Sequence, residues 1–397
     1  MGQFMLNIFT STYLSLGGVF LLIATSLLAA QPGPVTGLTA TAYDHHVELN
    51  WGQHPNPTVT GVRIYGAEPG SDYEVLGTVN NVNLRFVDFL GDFDLTSNYY
   101  LRAVGSGGQL GEPSDTVTAT TFEMSDSMLL DMVQDYTLRY FYEFGHPTSG
   151  LARERNTTAT VTSGGSGFGI MALIVGAERG FITYDQALNR TTKMVDFLLT
   201  VPRFQGAFSH WMNGATGRVI PFSQRDDGGD LVETAFLIQG LLTARQYYTG
   251  DNPEEAALRE NITQIWEDVN WNWYRKPSQE DVLFWHWSPT NDFAINLPLR
   301  GFNEVHIAYL LAMASPTAAH RIPASLYHTG WAGANDYVNN FSYYGIPAIV
   351  GKGKGGPLFF AHYSYLGFDP RGIKDEYANY FTRNTNQTLI NYEHCQD

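Results

Sequence analysis

The 397-residue sequence has very little cysteine and little charge, and each shortage excludes a class of protein. It holds one cysteine, Cys395, so neither a disulfide framework nor a cysteine-based metal site can form within the chain. Charged residues make up 16% of the chain, and 39 Asp and Glu against 23 Lys and Arg give a formal net charge of −16. That charge disfavours nucleic acid or an anionic membrane as a partner. It does not disfavour a neutral sugar, whose apolar ring faces would suit the 24 Phe, 23 Tyr and 8 Trp.

The beginning of the chain also lacks charge, since no charged residue precedes Asp44. Residues 14–30 (LSLGGVFLLIATSLLAA) form an apolar run of about 17 residues that ends in small residues, as a secretory signal peptide does. The preceding segment MGQFMLNIFT lacks the usual positive charge, so an uncleaved membrane anchor is the alternative. No cysteine follows the run, which argues against a lipoprotein anchor. We therefore predict a signal peptide or N-terminal anchor at 1–31 and an exported protein, periplasmic or secreted.

Residues 33–122 have the pattern of an all-β module without chemistry of its own. Short apolar runs at 47–51, 61–65, 73–79, 99–104 and 117–121 alternate with turn residues, at the spacing of a small β-sandwich. The motifs PVTGL (34–38), VELNW (47–51), GVRIY (61–65), YYLRA (99–103) and EPS (112–114) resemble a fibronectin type III domain. Trp51, Tyr99 and Tyr100 stand where that fold places its core aromatics. We interpret them as packing residues and the module as a spacer or docking domain.

From residue 125 the pattern becomes helical. Amphipathic segments at 126–144, 184–201, 253–270 and 369–392 alternate with apolar segments at 170–180, 228–249, 302–315 and 357–366. This alternation predicts an (α/α)6 barrel at 125–397, in which inner helices are covered on all sides and outer helices are half exposed. The sequence contains about nine helices, fewer than the twelve of a closed barrel, and its pattern is unfinished at Asp397. We therefore expect a C-terminally truncated barrel from a longer natural protein.

One apolar segment carries an unusual acidic group. In SQRDDGGDLVETAFLIQG (223–240), a helix starting at Asp226 would place Asp226, Asp230 and Glu233 within about 60° on one face. Three carboxylates on a buried helix are costly unless they line a wet cavity or hold a partner. An N-terminal acidic cluster that suits the helix dipole is the alternative, but it does not explain Glu233 deep in the helix. We interpret the group as part of a functional cleft.

Other polar residues fall at the starts of the remaining apolar helices. Because inner helices of a barrel all run in one direction, these residues would meet at one rim, covered by the loops 208–213 (FSHWMN) and 283–288 (LFWHWS). The predicted rim residues are the Gly-rich stretch 163–169, Asn303, Glu304, His306, the GGP sequence at 355–357, His362 and Tyr363.

Several carboxylates among aromatic residues favour glycoside hydrolysis, which needs one protonated acid and one base or nucleophile. Burial beside other carboxylates raises the pKa of one of them and so supplies the acid. Each candidate also has an ordinary structural interpretation. His286 could be a satisfied core histidine, Trp211, Trp285 and Trp287 could be core aromatics, and Arg153 could form a loop salt bridge. His210, His286 and Asp227 lack metal-ligand spacing, so we predict no metal and no cofactor.

Several long motifs resemble one family. They occur in order across about 125–397: GLARER (150–155), GGSGFGIMALIVGAERG (164–180), SHWMN (209–213), residues 226–239, WHWSP (285–289), RGFNE (300–304), GPLFFAHY (356–363) and DPR (369–371). They are similar to the glycoamylase-like domain, in particular to bacterial endo-β-1,2-glucanases and sophorose-releasing glycoside hydrolases.

This resemblance implies an exported (α/α)6-barrel enzyme that hydrolyses β-1,2-glucan by an inverting route without a cofactor. It places Asp226, Asp230, Glu233 and Glu304 at acidic positions of the substrate cleft, with Glu304 as the proton donor. We add Arg153, Trp211, Trp285, His286, Trp287, Asn303, His362 and Tyr363 as candidate substrate-binding residues. The family also continues about a hundred residues beyond this sequence and includes there another cleft carboxylate, a candidate base.

Two other functions remain open at the level of sequence. A non-catalytic carbohydrate-binding or adhesion protein would combine the β module with an inactive barrel, although four intact cleft acids oppose this. A polysaccharide lyase would use Tyr and His in place of paired carboxylates. Neither endo against exo cleavage nor oligomeric state follows from the residues.

Overall fold

The structure is a computed structural model that describes residues 31–351 and 356–397. The chain forms two compact units, Met1–Leu129 and Leu130–Asp397. β-Sheets occupy the N-terminal part, and helices with short strands follow. The predicted signal peptide or anchor lies almost entirely outside the described residues, as does position 355 of the predicted rim. Across 31–351 and 356–397, no helix is both long and apolar enough to cross a membrane.

The N-terminal unit contains two antiparallel sheets. One has the strand order β1-β2-β5, and the other has the order β4-β3-β6-β7, with β8 also paired to β6. The strands are β1 Thr39–Ala42, β2 His46–Asn50, β3 Val59–Ala67, β4 Glu74–Asn80, β5 Arg85–Phe89, β6 Thr96–Gly105, β7 Leu110–Pro113 and β8 Val117–Thr120.

Alternating side chains of both sheets form one core in this unit. Along β6, every second residue is buried, among them Tyr99 and Leu101, which pack with Leu49 and Trp51. The expectation that Trp51 and Tyr99 are packing residues is therefore confirmed. Tyr100 points to the opposite face of its strand, is half-buried, and stacks on a neighbouring strand's tyrosine.

The C-terminal unit alternates amphipathic and buried helices over the first three predicted pairs, whereas the predicted buried helix at 357–366 is only a five-residue helix with one buried side chain. Its helices are α1 Asp126–Tyr142, α2 Ser163–Glu178, α3 Tyr184–Leu198, α4 Leu231–Tyr247, α5 Pro253–Glu267, α6 His306–Ala314, α7 Leu358–His362 and α8 Tyr380–Gln396. Helix α4 is buried on nearly all sides, whereas α3 and α5 bury one face each. Helices α2 and α4 pack with their backbones in contact. The contact leaves no room for a side chain at Gly167, since a Cβ there would overlap the carbonyl oxygen of Phe236.

Four helices begin at residues other than those predicted, and one of them is α8, which begins at Tyr380 and not at 369. Helix α4 begins at Leu231, not at Asp226, because Gly229 and Asp230 form a short strand and Asp230 caps the helix. The prediction that Asp226, Asp230 and Glu233 share one helical face is therefore wrong. Helix α2 already includes the Gly-rich stretch, and α6 starts only at His306, so Asn303 and Glu304 precede it.

Short strands in this unit were not predicted. Each has only two to six residues and pairs either with a distant segment or with the neighbouring strand of a tight hairpin. They are β9 Thr160–Thr162, β10 Trp211–Asn213, β11 Val219–Ile220, β12 Gly229–Asp230, β13 His286–Trp287, β14 Val338–Tyr343 and β15 Ile346–Val350. The sheet orders are β11-β10-β9, β12-β13 and β14-β15.

Candidate active site

A cavity of about 390 Å³ lies in the C-terminal unit beside the start of α4. Two carboxylates, Glu233 and Glu304, line it together. The remaining lining residues are mainly aromatic and apolar: His210, Val232, Phe236, Trp285, Leu297, Pro298, Leu299, Arg300, Asn303, Val305, Phe359 and Tyr363. The cavity thus combines two acids with aromatic walls.

The two predicted rim loops meet at Asp230. The Asp230 N–H donates to the Phe208 carbonyl at 2.8 Å, and the Leu231 N–H donates to the Trp285 carbonyl at 2.8 Å. Asp230 also pairs with His286 between β12 and β13. The loops 208–213 and 283–288 therefore both lie at the start of α4.

The Asp230 side chain is fully buried and uses both of its oxygens. Its Oδ1 accepts from the N–H groups of Val232 and Glu233, each at 2.9 Å, which caps α4. Its Oδ2 lies 2.9 Å from Nδ1 of His210. Burial lowers the pKa of His210, but the hydrogen bond to Asp230 and the nearby carboxylates outweigh it and raise that pKa. Protonation of His210 is therefore easier than for an isolated histidine.

Glu233 lies on the first turn of α4 and faces α2. Its Oε2 accepts a hydrogen bond from the Gly164 N–H at 3.0 Å. A side chain at position 164 would collide with this carboxylate, so glycine is required for the approach. Burial, and then the charge of Asp230, raise the pKa of Glu233 to about 7. A carboxylic acid that keeps its proton near neutral pH suits general acid catalysis.

Glu304 approaches the same cavity from the segment before α6. Burial raises the pKa of its carboxyl group. Its Oε2 is inaccessible and has no hydrogen-bond partner among the described residues. Its backbone carbonyl accepts from Oγ of Ser364 at 2.6 Å. Since buried polar atoms are nearly always paired, an unpaired acid oxygen beside a cavity indicates a partner other than the described residues.

Asp226 and His286 form a buried pair outside the cavity lining. Asp226 is 2% exposed, and its Oδ1 lies 3.4 Å from Nε2 of His286. The Gly228 N–H donates to the same Nε2 at 3.0 Å, so this nitrogen carries no proton. Burial, and then the charge of Asp230, raise the pKa of Asp226 to about 6. Asp226 is thus brought to the acidic group by the β12–β13 pairing and not by helical spacing.

Three of the predicted binding residues, Trp285, Asn303 and Tyr363, line the cavity. Tyr363 is held by Phe168, with ring centroids 4.7 Å apart.

Five further predicted binding residues, His286 among them, do not line the cavity. Trp211 lies on β10, and Trp287 packs edge-on against another tryptophan ring at 5.3 Å. Nη1 of Arg153 donates to a carbonyl of its own loop at 3.2 Å, and Nε2 of His362 lies 3.0 Å from a hydroxyl on α8. The Trp287 contact fits the interpretation as a core aromatic, whereas Arg153 bonds a backbone carbonyl and not a carboxylate.

Sequence reasoning did not assign three side chains that line the cavity: His210, Arg300 and Phe359. All three stand inside motifs that were recognised, SHWMN, RGFNE and GPLFFAHY. The motifs marked the segments, but only the fold shows which side chains point inward.

One group with metal-ligand geometry occurs among the described residues. His210, Asp226 and Asp230 each offer an atom within 4.8 Å of the others. The hydrogen bond between His210 and Asp230, together with the helix cap, already accounts for His210 and Asp230 without an ion. The absence of a metal remains a prediction.

The sequence and the structure of this chain are similar to those of known proteins. The family model Glycoamylase, described as "Putative glucoamylase", matches residues 296–397. The chain is 40% identical over 376 residues to the exo β-1,2-glucooligosaccharide sophorohydrolase (non-reducing end) of Parabacteroides distasonis. That alignment covers 90% of this chain and 52% of the relative, so the chain spans about half the relative's length.

Several solved structures are similar to this chain, and two of them are β-1,2-glucanases. The crystal structure of a β-1,2-glucanase from Parabacteroides distasonis aligns with a TM-score of 0.83 and 40% identity, covering 92% of this chain and 55% of that one. The endo-β-1,2-glucanase from Chitinophaga pinensis, solved as a sophorotriose and glucose complex, aligns with a TM-score of 0.66 and 47% identity. This second alignment covers 69% of this chain and 68% of that one.

Proposed function

We propose, because this chain belongs to the glycoamylase-like family, that it hydrolyses β-1,2-glucan. The observation that carries the proposal is that Glu233 and Glu304 line one cavity, with an oxygen of Glu304 left unpaired by the described residues. The names of the relatives support the substrate, since they are a sophorohydrolase and β-1,2-glucanases.

Glu304 is the proton donor in this proposal. Burial raises its pKa, which favours the protonated form that can give a proton to the leaving glycosidic oxygen. Glu233 shares the cavity, and Asp230 and Asp226 stand behind it as the rest of the acidic group. The reaction follows an inverting route, in which a carboxylate across the sugar from the donor activates a water molecule.

The aromatic walls bind the sugar. Trp285, Phe359 and Tyr363 offer rings to the apolar faces of glucose units, and Asn303 and Arg300 offer hydrogen-bond donors to hydroxyl groups. The net charge of −16 does not oppose a neutral polysaccharide.

The test is incubation of protein expressed from the complete gene with β-1,2-glucan, followed by chromatography for sophorose or longer oligosaccharides. β-1,3-, β-1,4- and α-1,4-Glucans serve as comparison substrates. Glu304→Gln should lower kcat by about 10²–10⁴-fold, the contribution typical of general acid catalysis. The matched control Glu260→Gln changes an exposed glutamate of α5 and should leave kcat unchanged.

Two results would contradict the proposal. Release of no sugar from any of the glucans would exclude a hydrolase, and calorimetric binding without product would favour a carbohydrate-binding protein. A near-normal rate of Glu304→Gln would remove Glu304 from the role of donor.

The finer architecture and the location are part of the same proposal. The alternation of buried helices α2, α4 and α6 with amphipathic α3 and α5 supports an (α/α)6 barrel at 125–397. The two sheets around one core support a fibronectin type III-like module at 33–122. The apolar run at 14–30 supports export to the periplasm or the medium.

A further inference from the structure

One buried hydroxyl group holds the segment that carries Glu304. Oγ of Ser364 donates to the Glu304 carbonyl at 2.6 Å and accepts from the Ile307 N–H at 3.1 Å. Ser364 is 0% exposed, so water cannot replace either bond. The backbone of Glu304 and the first turn of α6 are therefore fixed to the same side chain.

The helix that carries Glu233 reaches the same serine. Nε2 of Gln239, on α4, donates to the Ser364 carbonyl at 2.7 Å. Gln239 is 3% exposed, although it stands on a helix whose other buried side chains are almost all apolar. Burying an amide without a hydrogen-bond partner costs free energy. This hydrogen bond therefore does more than the packing of an apolar side chain of the same size would do.

The residues on either side of Ser364 are held as well. Tyr363 lines the cavity and packs against rings of α2 and α4. The hydroxyl group of Tyr365 lies 2.7 Å from Nδ1 of the buried His306 on α6. The short turn Tyr363–Tyr365 thus connects the cavity wall, α4 and the start of α6.

We propose that Gln239 and Ser364 are positioning residues that fix the separation of the Glu233 and Glu304 carboxyl groups. Their bonds form a continuous path from α4 through Ser364 to Glu304. The inference rests on the proposed function, because both carboxyl groups line the cavity proposed to hold the sugar, and a small displacement of either would misplace it relative to the bond that is cleaved. Neither residue lines the cavity, so neither acts on the sugar directly.

The test uses Ser364→Ala, Gln239→Met and the double variant. Crystal structures should show a changed separation between the carboxyl groups of Glu233 and Glu304 in each variant. On β-1,2-glucan, kcat should fall by about 10–100-fold, as expected for a misplacement near 1 Å, with KM within about twofold. The double variant should be no slower than the slower single variant, because both break one path.

Thr191→Val is the matched control, since Thr191 is equally buried and its hydroxyl group donates to a backbone carbonyl of α3. It should lower the thermal midpoint as the test variants do, with kcat unchanged. Should Ser364→Ala fail to fold, Gln239→Met decides, because it keeps the hydroxyl bonds at the start of α6.

An unchanged separation of the carboxyl groups in the variants, or additive losses of kcat, overturns the inference. An inactive wild-type protein overturns the proposed function instead, and the crystal structures then still decide the positioning by themselves.

Discussion

Replacing Glu233 with glutamine separates the electrostatic cost of this acid from its packing. The pKa of Glu233 rises from 4.5 to about 7 through burial and the charge of Asp230, a difference of about 2.5. At 1.36 kcal/mol per pKa unit, ionising this group in the folded protein costs up to roughly 3 kcal/mol. Glutamine keeps the shape and an oxygen that can accept from the Gly164 N–H, so the variant removes the charge alone.

The pH dependence has a definite sign. The folded protein binds this proton more tightly than the unfolded chain does. The contribution of Glu233 to the free energy of unfolding is therefore fully present below about pH 4.5 and is lost as the pH rises through about 7. The glutamine variant lacks this loss. The two proteins should therefore be equally stable near pH 4, and the variant should be more stable near pH 8 by about 1–3 kcal/mol. The range extends below the upper figure because the titration of Glu233 depends on the charge of Asp230.

Urea unfolding followed by tryptophan fluorescence measures this difference. All of the eight tryptophans except Trp51 lie in the C-terminal unit, so the signal reports mainly on the unit that holds Glu233. Glu260→Gln, on the exposed side of α5, is the control and should follow the wild type at both pH values. A glutamine variant that is less stable than the wild type at pH 8 would refute the reasoning, because the carboxylate would then be stabilising.

Three more predictions concern activity and packing. Since Glu304 must carry a proton and burial raises its pKa, kcat/KM should fall as the pH rises, with a midpoint above the ordinary value of 4.5, and a flat profile would contradict this role. Gly167→Ala should lower stability by about 1–3 kcal/mol in thermal unfolding, because its Cβ would overlap the carbonyl oxygen of Phe236. Gly165→Ala, on the same helix, meets mainly the rotatable Thr162 side chain and should cost less, so equal losses would contradict the packing argument. Dialysis against EDTA should leave activity on β-1,2-glucan unchanged, and a loss that a divalent cation restores would show that the acidic group holds a metal.

Much of the architecture could be predicted from local patterns, because the buried faces of helices and strands consist mainly of apolar residues. The apolar residues on all sides of α4 and the single apolar face of α3 indicated which helix is inside. Glu304 and Glu233 were recognisable as candidates because each stands beside an apolar helical run. Both line the cavity.

The remaining features depend on contacts between distant parts of the chain. Asp230 reads equally well as a helical residue or as a cap, and only its pairing with His286 decides that the helix starts after it. Ser364 reads as an ordinary small residue between two tyrosines, and its role exists only because Glu304 and Gln239 fold against it. No spacing rule connects residues more than fifty positions apart.

The backbone contact between α2 and α4 links the packing of the two helices to the pKa of Glu233. The N–H of Gly164, in the first turn of α2, lowers the pKa of Glu233 against the effect of burial. Gly167 and Gly240 set how closely the two helices approach. A larger residue at either glycine would move α2 away and weaken that bond, and the pKa of Glu233 would rise further. A substitution that never contacts the sugar would therefore change the pH at which the second acid of the cavity loses its proton.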